Sequence, residues 1–412
     1  MMSKMELLNY LKNNISYYSD IIEEDVNESN FEEVYNSIPY TDKTIMKRHT
    51  KFMVSKRLSN FLENNSIDYT FYKNREQLIH IDNIPFYIEF TSGTSGIPFF
   101  SIKTLEERII LGKTLWKNRR KILNIDNNEF LDFIHSGRDD KNSFPFKQEK
   151  HLDKRIEMEV EYLKKSKFQW WHTNISSLEY YDSYLKKNKI SFPYLKIIEN
   201  NGCYISDTER SNYEELYNCK VIDNYGCREV WNIAFECSEG NLHVCPNNIF
   251  NLVDEEGSYI QKSYEVGEVE ITSRVLKSMP IVKYRLGDRA YYCEVECKCG
   301  NKNKIIKIIP TRTMIINTNK NGNFIFRMII LDLLLKYEFS HFDSVHVTQI
   351  SEFEFLINAN VNICYRTQFE KIFKGLINQR LGNNYKTFFD YKVGVYNKSI
   401  FSINIKKEKS FL

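Results

Sequence analysis

The sequence predicts an α/β protein with α+β elements, built on a largely parallel sheet, and three observations carry that reading. Stretches with apolar residues at helical spacing alternate with short apolar runs through the first half of the chain. One such run, Phe86–Phe90, leads directly into a turn of glycines and hydroxyl residues, and a helix-like stretch follows. From His243 to Ile309 the runs become short and turn-separated, as in Gly267–Thr272, which points to an antiparallel or barrel-like portion.

Taken in order, the first 80 residues read as helices, with helical spacing in Met5–Leu11 and around Ile15 and Tyr18. Pro39 cannot sit inside a helix, and Thr41 is placed to cap the next one. A helix is expected from Leu105 to about Leu123, then strands at Phe130–His135, Tyr194–Ile198 and Cys219–Asp223. After Thr311 a second unit mixes strands (Phe353–Ile357, Phe401–Ile405) with helices (Arg327–Lys336, Phe369–Gln379). No repeat or low-complexity linker marks the boundary, so the division into residues 1–310 and 311–412 rests on pattern alone.

Composition narrows the function classes. The 412 residues are 42% hydrophobic and 14% aromatic, enough to bury a sizeable core and to exclude disorder over most of the length. Lys+Arg number 57 and Asp+Glu 54, a net charge of +3, which gives no basic field for nucleic acid. The most apolar run, Phe324–Leu335, is interrupted by Arg327 and Asp332, too short and too charged for a bilayer. With no leader-like apolar stretch at the start and nine cysteines, an odd set, a cytoplasmic protein with reduced thiols or thiolate metal ligands is expected.

The informative segment is Thr91-Ser92-Gly93-Thr94-Ser95-Gly96, followed by Ile97-Pro98. Glycine lets a backbone approach an anion, and Ser/Thr hydroxyls and amides donate to phosphate oxygens. No Gly-Lys-Ser/Thr closes the segment, and its glycine spacing is not that of a dinucleotide fingerprint. Asp223-Asn224-Tyr225-Gly226-Cys227-Arg228-Glu229, Tyr284-Arg285-Leu286-Gly287-Asp288 and Thr311-Arg312 follow in order. Together these four segments resemble the ordered motifs of the adenylate-forming superfamily, which includes acyl-CoA synthetases and peptide-synthetase adenylation domains. Pro39-Tyr40-Thr41-Asp42-Lys43, Glu236-Cys237 with Leu242-His243, Cys297-Lys298-Cys299-Gly300 and Val347-Thr348-Gln349 are similar to the phenylacetate–CoA ligase branch and its capsule-locus relatives.

The resemblance implies a large multi-subdomain N-terminal portion and a small mobile C-terminal one. It implies that a carboxylic acid is adenylated by ATP, with pyrophosphate released, and passed to a thiol of CoA or of a carrier protein. Thr91–Gly96 would hold the β- and γ-phosphates, and Glu229 would coordinate magnesium through its hard carboxylate oxygens. Asn224, Tyr225 and Gly226 would flank the adenine, Asp288 would accept the ribose hydroxyls, and Arg312 would reach ribose or phosphate. Arg228 stands where the family carries Ser or Thr and would contact the α-phosphate. Phe99 stands where many relatives carry a lysine, and Thr313-Met314 where a hinge aspartate is expected. Lys398 is the nearest match to the family's C-terminal catalytic lysine. Asp132, His135, Asn201 and Gly202 are acyl-pocket candidates by position, and Trp170-Trp171-His172 a candidate aromatic wall for an aryl acid, although aromatic pairs are more often core.

Cys237, His243, Cys297 and Cys299 make a Cys₃His set suited to tetrahedral structural zinc, with Cys245 or Cys293 as substitutes for a named ligand. Read from the residues alone, each feature also has a plain alternative. The Ser/Gly run is a flexible turn, Glu229 a helix cap, Asp288 a turn residue, Lys398 a solvated lysine and the cysteines packed thiols. At the level of function, the alternatives are transfer of a small or amino acid to a carrier or sugar, and a nucleotide-binding relative without catalysis.

Overall fold

The computed structural model describes residues 1–65, 67, 76–90, 99–132, 152–173, 175–202, 205, 207–309, 329, 333, 337, 342–351, 353–391 and 401–405. The chain forms two compact units. One comprises Met1–Thr91, Phe99–Phe144 and Leu163–Ile309, the other Ser92–Pro98, Pro145–Tyr162 and Pro310–Leu412.

The larger unit opens with helices α1 (Lys4–Asn14), α2 (Ser16–Ser19), α3 (Phe31–Ser37), α4 (Lys43–Arg48) and α5 (Lys56–Asn64). Ser3 and Glu6 form a reciprocal capping box on α1, which buries Leu7, Leu8 and Leu11. Asp42 rather than Thr41 caps α4, accepting from the Ile45 amide at 2.7 Å. Thr41 is fully buried instead, donates to the Val282 carbonyl at 2.7 Å and bridges to Tyr284. The N-terminal segment is thereby fastened beside the Tyr284–Asp288 stretch.

Strands β1 (Glu76–Ile81), β2 (Ile84–Phe90) and β3 (Phe100–Thr104) form an antiparallel meander. Helix α6 (Leu105–Ile122) follows with a Thr104/Glu107 capping box, at the position expected from sequence. Next along the chain come β4 (Phe130–Asp132), α7 (Leu152–Lys165, of which the part up to Tyr162 belongs to the smaller unit), β5 (Trp170–Thr173), α8 (Ile175–Asn188), β6 (Ile197–Asn201), α9 (Asp207–Tyr217) and β7 (Lys220–Cys227). β4 to β7 are parallel neighbours. The chain then turns antiparallel through β8 (Trp231–Glu236), β9 (Leu242–Val244), β10 (Asn248–Val253), β11 (Gly267–Ser273), β12 (Tyr284–Cys293) and β13 (Ile305–Ile309). All ten strands from β4 to β13 form one sheet in the order β10-β11-β12-β13-β9-β8-β7-β6-β5-β4. The strand-rich portion after His243 is antiparallel as expected and continues the parallel sheet.

Two strand boundaries differ from expectation. β6 begins at Ile197 rather than Tyr194, and β7 extends beyond Asp223 to Cys227, which puts Asn224, Tyr225 and Gly226 on the strand. The strand expected over Phe130–His135 is described only to Asp132. Trp170 and Trp171 are fully buried, with Trp171 edge-on to Tyr181 and Tyr217, so they pack as core, as aromatic pairs more often do.

The smaller unit carries β14 (Phe342–Ser351), β15 (Glu354–Val361), α10 (Arg366–Leu381), β16 (Lys386–Asp390) and β17 (Phe401–Ile405). Their order is β16-β15-β14-β17, with β14 and β15 antiparallel and both outer pairs parallel. Phe369 and Phe373 of α10 meet Phe389 of β16 edge-on, each at 5.9 Å. The helix expected at Arg327–Lys336 lies almost wholly outside the described residues. Among the described residues no helix is long and apolar enough to cross a membrane.

A partly buried charge cluster, with Arg210 and Asp223 half-buried and Glu236 buried, braces β7 against β8. Arg210 bonds both oxygens of Glu236 and lies 3.5 Å from Asp223, whose Oδ1 accepts from Asn200 at 2.6 Å. Burial, then repulsion from Glu236, pushes the Asp223 carboxyl up to about 7, against the Asn200 bond and the Arg210 charge. Between about pH 4 and pH 7 the native state therefore holds a proton that the unfolded chain has lost. Stability contributed at low pH is lost as pH rises through that window. Asp223→Asn keeps the acceptor for Asn200 and removes the titration. Urea midpoints at pH 5 and pH 8 should show wild type losing at least about 1 kcal/mol more than the variant. Parallel pH profiles of the two proteins would refute the assignment.

Candidate functional site

β7 is the last parallel strand, and the sheet reverses direction at the turn after it, the kind of place where α/β proteins gather ligand-binding groups. Tyr225, on β7, donates its hydroxyl to Asp288 Oδ2 at 2.9 Å. Asp288 is 7% exposed, on β12 directly after Gly287 at φ +76°, a left-handed conformation that glycine adopts without a Cβ penalty. Glu229 lies in the β7–β8 turn, is buried and accepts from the Tyr284 hydroxyl at 3.2 Å. Tyr225, Glu229 and Asp288 therefore belong to one hydrogen-bonded region of the larger unit, linked through β12.

The turn that carries Glu229 is tightly constrained. A Cβ on residue 226 would lie 1.7 Å from the Trp231 carbonyl oxygen, so only glycine fits opposite that backbone. Trp231 itself stands at φ +65°, which is strained for a tryptophan. A register shift between Tyr225 and Gly226 completes the distortion. Asn224 has a different place from a solvent-facing ligand group. Its amide donates to Glu199 at 2.7 Å and its oxygen accepts from Asn232 at 2.9 Å. Its side chain thus serves a buried network.

Two charged residues that sequence reasoning missed lie beside this turn. Lys103 donates to Glu89 Oε2 at 3.0 Å, to Ser101 Oγ at 2.7 Å and to the Arg228 carbonyl at 2.9 Å. Burial opposes the Glu89 charge, but Lys103, Arg108 and the Trp231 N–H outweigh it and hold that carboxyl below its ordinary value. The available signal was one lone charge in each of two otherwise uncharged strands flanking the glycine loop.

At the carboxyl ends of the parallel strands, Asn201 Nδ2 approaches His172 Nε2 at 3.4 Å, and Gly202 is exposed at φ +83°. Thr173 is fully buried at the end of β5, with its hydroxyl unbonded. Asp132 ends β4. Thr91–Gly96, His135, Arg312 and Lys398 lie outside the described residues. Phe99 is described. It is 2% exposed and stacked on Phe100, a core residue.

Cys237, His243, Cys297 and Cys299 converge so that their ligand atoms all lie within 4.8 Å of one another. The β9–β13 pairing sets His243 opposite Ile305, just past the connection that carries the two later cysteines. Cys237 Sγ is 3.6 Å from Cys297 Sγ, which is 3.3 Å from Cys299 Sγ, which is 3.4 Å from His243 Nε2. A tetrahedral zinc–thiolate site has edges of about 3.7 Å, so the spacing fits. His243 Nδ1 faces the Asn303 carbonyl at 3.1 Å, which leaves Nε2 for the sulfurs. The Asn241 side chain and the Asn301 amide donate to Cys297 and Cys299. Burial opposes ionisation of Cys297, yet the Cys299 amide, then the Asn241 side chain, the Cys299 thiol and His243, bring its thiol down to about 6. Cys245 is held by Asn118 and Asn232, and neither it nor Cys293 joins the cluster.

No known protein family and no curated protein matches the chain by sequence. Solved structures do match. A 2-hydroxyisobutyryl-CoA ligase bound to 2-HIB-AMP and CoA in its thioesterification state superposes with a TM-score of 0.60 at 15% identity, covering 98% of this chain and 88% of that one. The same ligase in its postadenylation state with 2-HIB-AMP gives 0.58 at 14% identity over 98% and 88%. Its open conformation gives 0.55 at 13% identity over 96% and 89%. The chain has the fold of the adenylate-forming CoA ligases.

Proposed function

We propose that the chain is an ATP-dependent, AMP-forming acid:thiol ligase, similar to the phenylacetate–CoA ligase branch. The observation that supports it best is the Tyr225–Asp288 hydrogen bond beside the constrained turn bearing Glu229, at the point where the sheet reverses. In the first step a carboxylate oxygen attacks the α-phosphorus of ATP, and the bond to the β-phosphate breaks to release pyrophosphate. In the second, a thiol sulfur attacks the acyl carbon and AMP leaves. The neighbouring 2-hydroxyisobutyryl-CoA ligase, solved with an acyl-AMP and CoA, supports this two-step order.

Such chemistry depends on positioning and charge neutralisation more than on covalent catalysis. Asp288 would accept the ribose hydroxyls, with Tyr225 orienting it and flanking the adenine. Glu229 would hold magnesium, which draws charge from the phosphates. Thr91–Gly96 would cradle the β- and γ-phosphates, Arg228 and Arg312 would contact phosphate or ribose, and Lys398 would meet the carboxylate. Asp132, His135, Asn201 and Gly202 would wall the acid. The division at residues 310/311, with rotation of the smaller portion between steps, belongs to the same proposal, as does a CoA or carrier-protein thiol as acceptor. Arg228 in place of a hydroxyl residue favours a second reading, a nucleotide-binding relative that performs no adenylation.

Carboxylate-dependent exchange of labelled pyrophosphate into ATP, over aryl, fatty, hydroxy and amino acids, separates the two. Exchange with at least one acid is expected. ATP binding with no exchange for any acid would leave only the second reading. Asp288→Ala removes a charge-assisted acceptor and should weaken AMP binding by about 1.5–3 kcal/mol. Unchanged AMP affinity in the folded variant would sink the ribose assignment.

The same proposal includes a structural zinc on Cys237, His243, Cys297 and Cys299. Four protein ligands leave no open position for water, so the metal would cross-link the β8–β9 turn to the β12–β13 connection. Purified protein should contain close to one equivalent of zinc, and Cys297→Ser with Cys299→Ser should lower the melting temperature. Less than a tenth of an equivalent, or an unshifted melting curve, would show packed thiols instead.

A further inference from the structure

The nucleotide reading gives no task to the buried ion pair nearest the site. Lys103 and Glu89 have side chains 0% and 1% exposed. Withdrawing two charges from water is costly, and an apolar pair of similar volume would join β2 to β3 at least as well. The connections of the pair show what an apolar pair would lack. Two of the Lys103 donors stay within the hairpin, on Glu89 and Ser101, while the third reaches the Arg228 carbonyl at 2.9 Å. Glu89 Oε2 in turn accepts from Trp231 Nε1 at 2.9 Å. Arg228 and Trp231 flank Glu229, so both shoulders of its turn are tied to one ion pair. Glu89 stands one residue before the end of β2, the strand that leads to Thr91. The turn has no slack to absorb a shift, because the Trp231 carbonyl already occupies the space beside Gly226 and Trp231 sits at φ +65°.

We propose that Lys103, together with Glu89, is a positioning residue that fixes the Glu229 carboxylate relative to the end of β2, and thereby sets the geometry in which magnesium-bound phosphates are held. Lys103 itself touches no nucleotide. The inference rests on the nucleotide reading above, and its consequence is selective. Tyr225 and Asp288, on β7 and β12, keep their own contact whatever happens at residue 103. AMP carries no β- or γ-phosphate and needs no such geometry.

The test measures AMP affinity, MgATP affinity and the half-saturating magnesium concentration for ATP binding on the full chain. Glu89→Met with Lys103→Met replaces the pair by an apolar one, and Arg108, which lies 3.5 Å from Glu89, keeps its other carboxylate, Glu76, at 3.1 Å. The expected result is AMP affinity within about twofold of wild type, MgATP affinity lowered about tenfold and half-saturating magnesium raised by a similar factor. Lys103→Arg, which can span the same acceptors, should recover most of the MgATP affinity. Trp231→Phe removes the donor to Glu89 while keeping an aromatic ring at the position, and should raise the magnesium requirement about threefold even if the double variant does not fold. Unchanged magnesium dependence in folded variants overturns the inference and leaves the nucleotide reading standing. Equal losses for AMP and MgATP also overturn it, because they mark a merely structural pair. Wild type that binds neither nucleotide overturns both.

Discussion

Four N–H groups converge on one buried carboxylate, and the junction of the sheet depends on them. Glu199 receives Arg119 Nε and Nη2 at 2.7 and 2.9 Å, Trp170 Nε1 at 2.7 Å and Asn224 Nδ2 at 2.7 Å. Burial works against its ionisation, and Arg119, His172 and Asn224 overcome that, holding the carboxyl below the usual range. The donors come from α6, β5 and β7, and Asn224 passes the network to Asn232 on β8. A charge satisfied this completely specifies one arrangement of those elements, since loss of any partner leaves a buried charge exposed to the full cost of desolvation. An apolar core alone would tolerate a slip of β7 along β6. The amide of Asn224 does not.

That fixed register decides where the candidate site stands. With Asn224 pinned, Tyr225 and the bulge after it begin at a set position, and the turn to β8 follows immediately. The parallel half of the sheet ends there and the antiparallel half starts, so the groups displayed by the turn face backbone that runs in both directions. Gly226 and the left-handed Trp231 are the local cost of reversing the chain within four intervening residues. Lys103 and Glu89 brace the turn from the outside, while Glu199 braces the strand from below. Two independent buried charge networks thus meet at one short segment, and strain of that kind persists only where the surroundings over-determine it.

Much of this was legible in the sequence, for identifiable reasons. Helix α6 was readable almost to its ends, because Thr104 and Glu107 supply a capping box and the apolar spacing stops at Leu123. The four ordered motifs pointed to the fold that the solved structures share. Parallel strands were less exact. Tyr194–Ile198 and Cys219–Asp223 are short runs whose polar neighbours continue the strands, Glu199–Asn201 on β6 and Asn224–Cys227 on β7, so an apolar pattern misplaces their boundaries by several residues. For Trp170 and Trp171 core is the commoner reading of an aromatic pair, and the strand that carries them is buried on both faces. Lys103 and Glu89 are 14 positions apart on separate strands, and no local periodicity joins them. The Cys₃His cluster was readable as a ligand set, whereas the Asn241, Asn301 and Asn303 contacts around it depend on loop geometry that spacing does not encode.

The departures from the resembled motif can be weighed by where the structure puts their side chains. Phe99 fills core space against Phe100 at 2% exposure. A lysine there would have to bury an ammonium or abandon the packing, so the cation that many relatives carry at this point has no room here. Lys103, four residues on, cannot replace it, since all three of its donors are committed to Glu89, Ser101 and the Arg228 carbonyl. In the proposed nucleotide site, neutralisation of the phosphates therefore falls on the amides and hydroxyls of residues 91–96, on magnesium at Glu229 and on the Arg228 guanidinium. Arg228 then reads as a relocation of positive charge rather than as a lost hydroxyl. In that proposed site a guanidinium at this turn would supply, from the β7–β8 side, the charge that a lysine at position 99 would bring from the β2–β3 side, and its forked donors suit a phosphate better than an ammonium would.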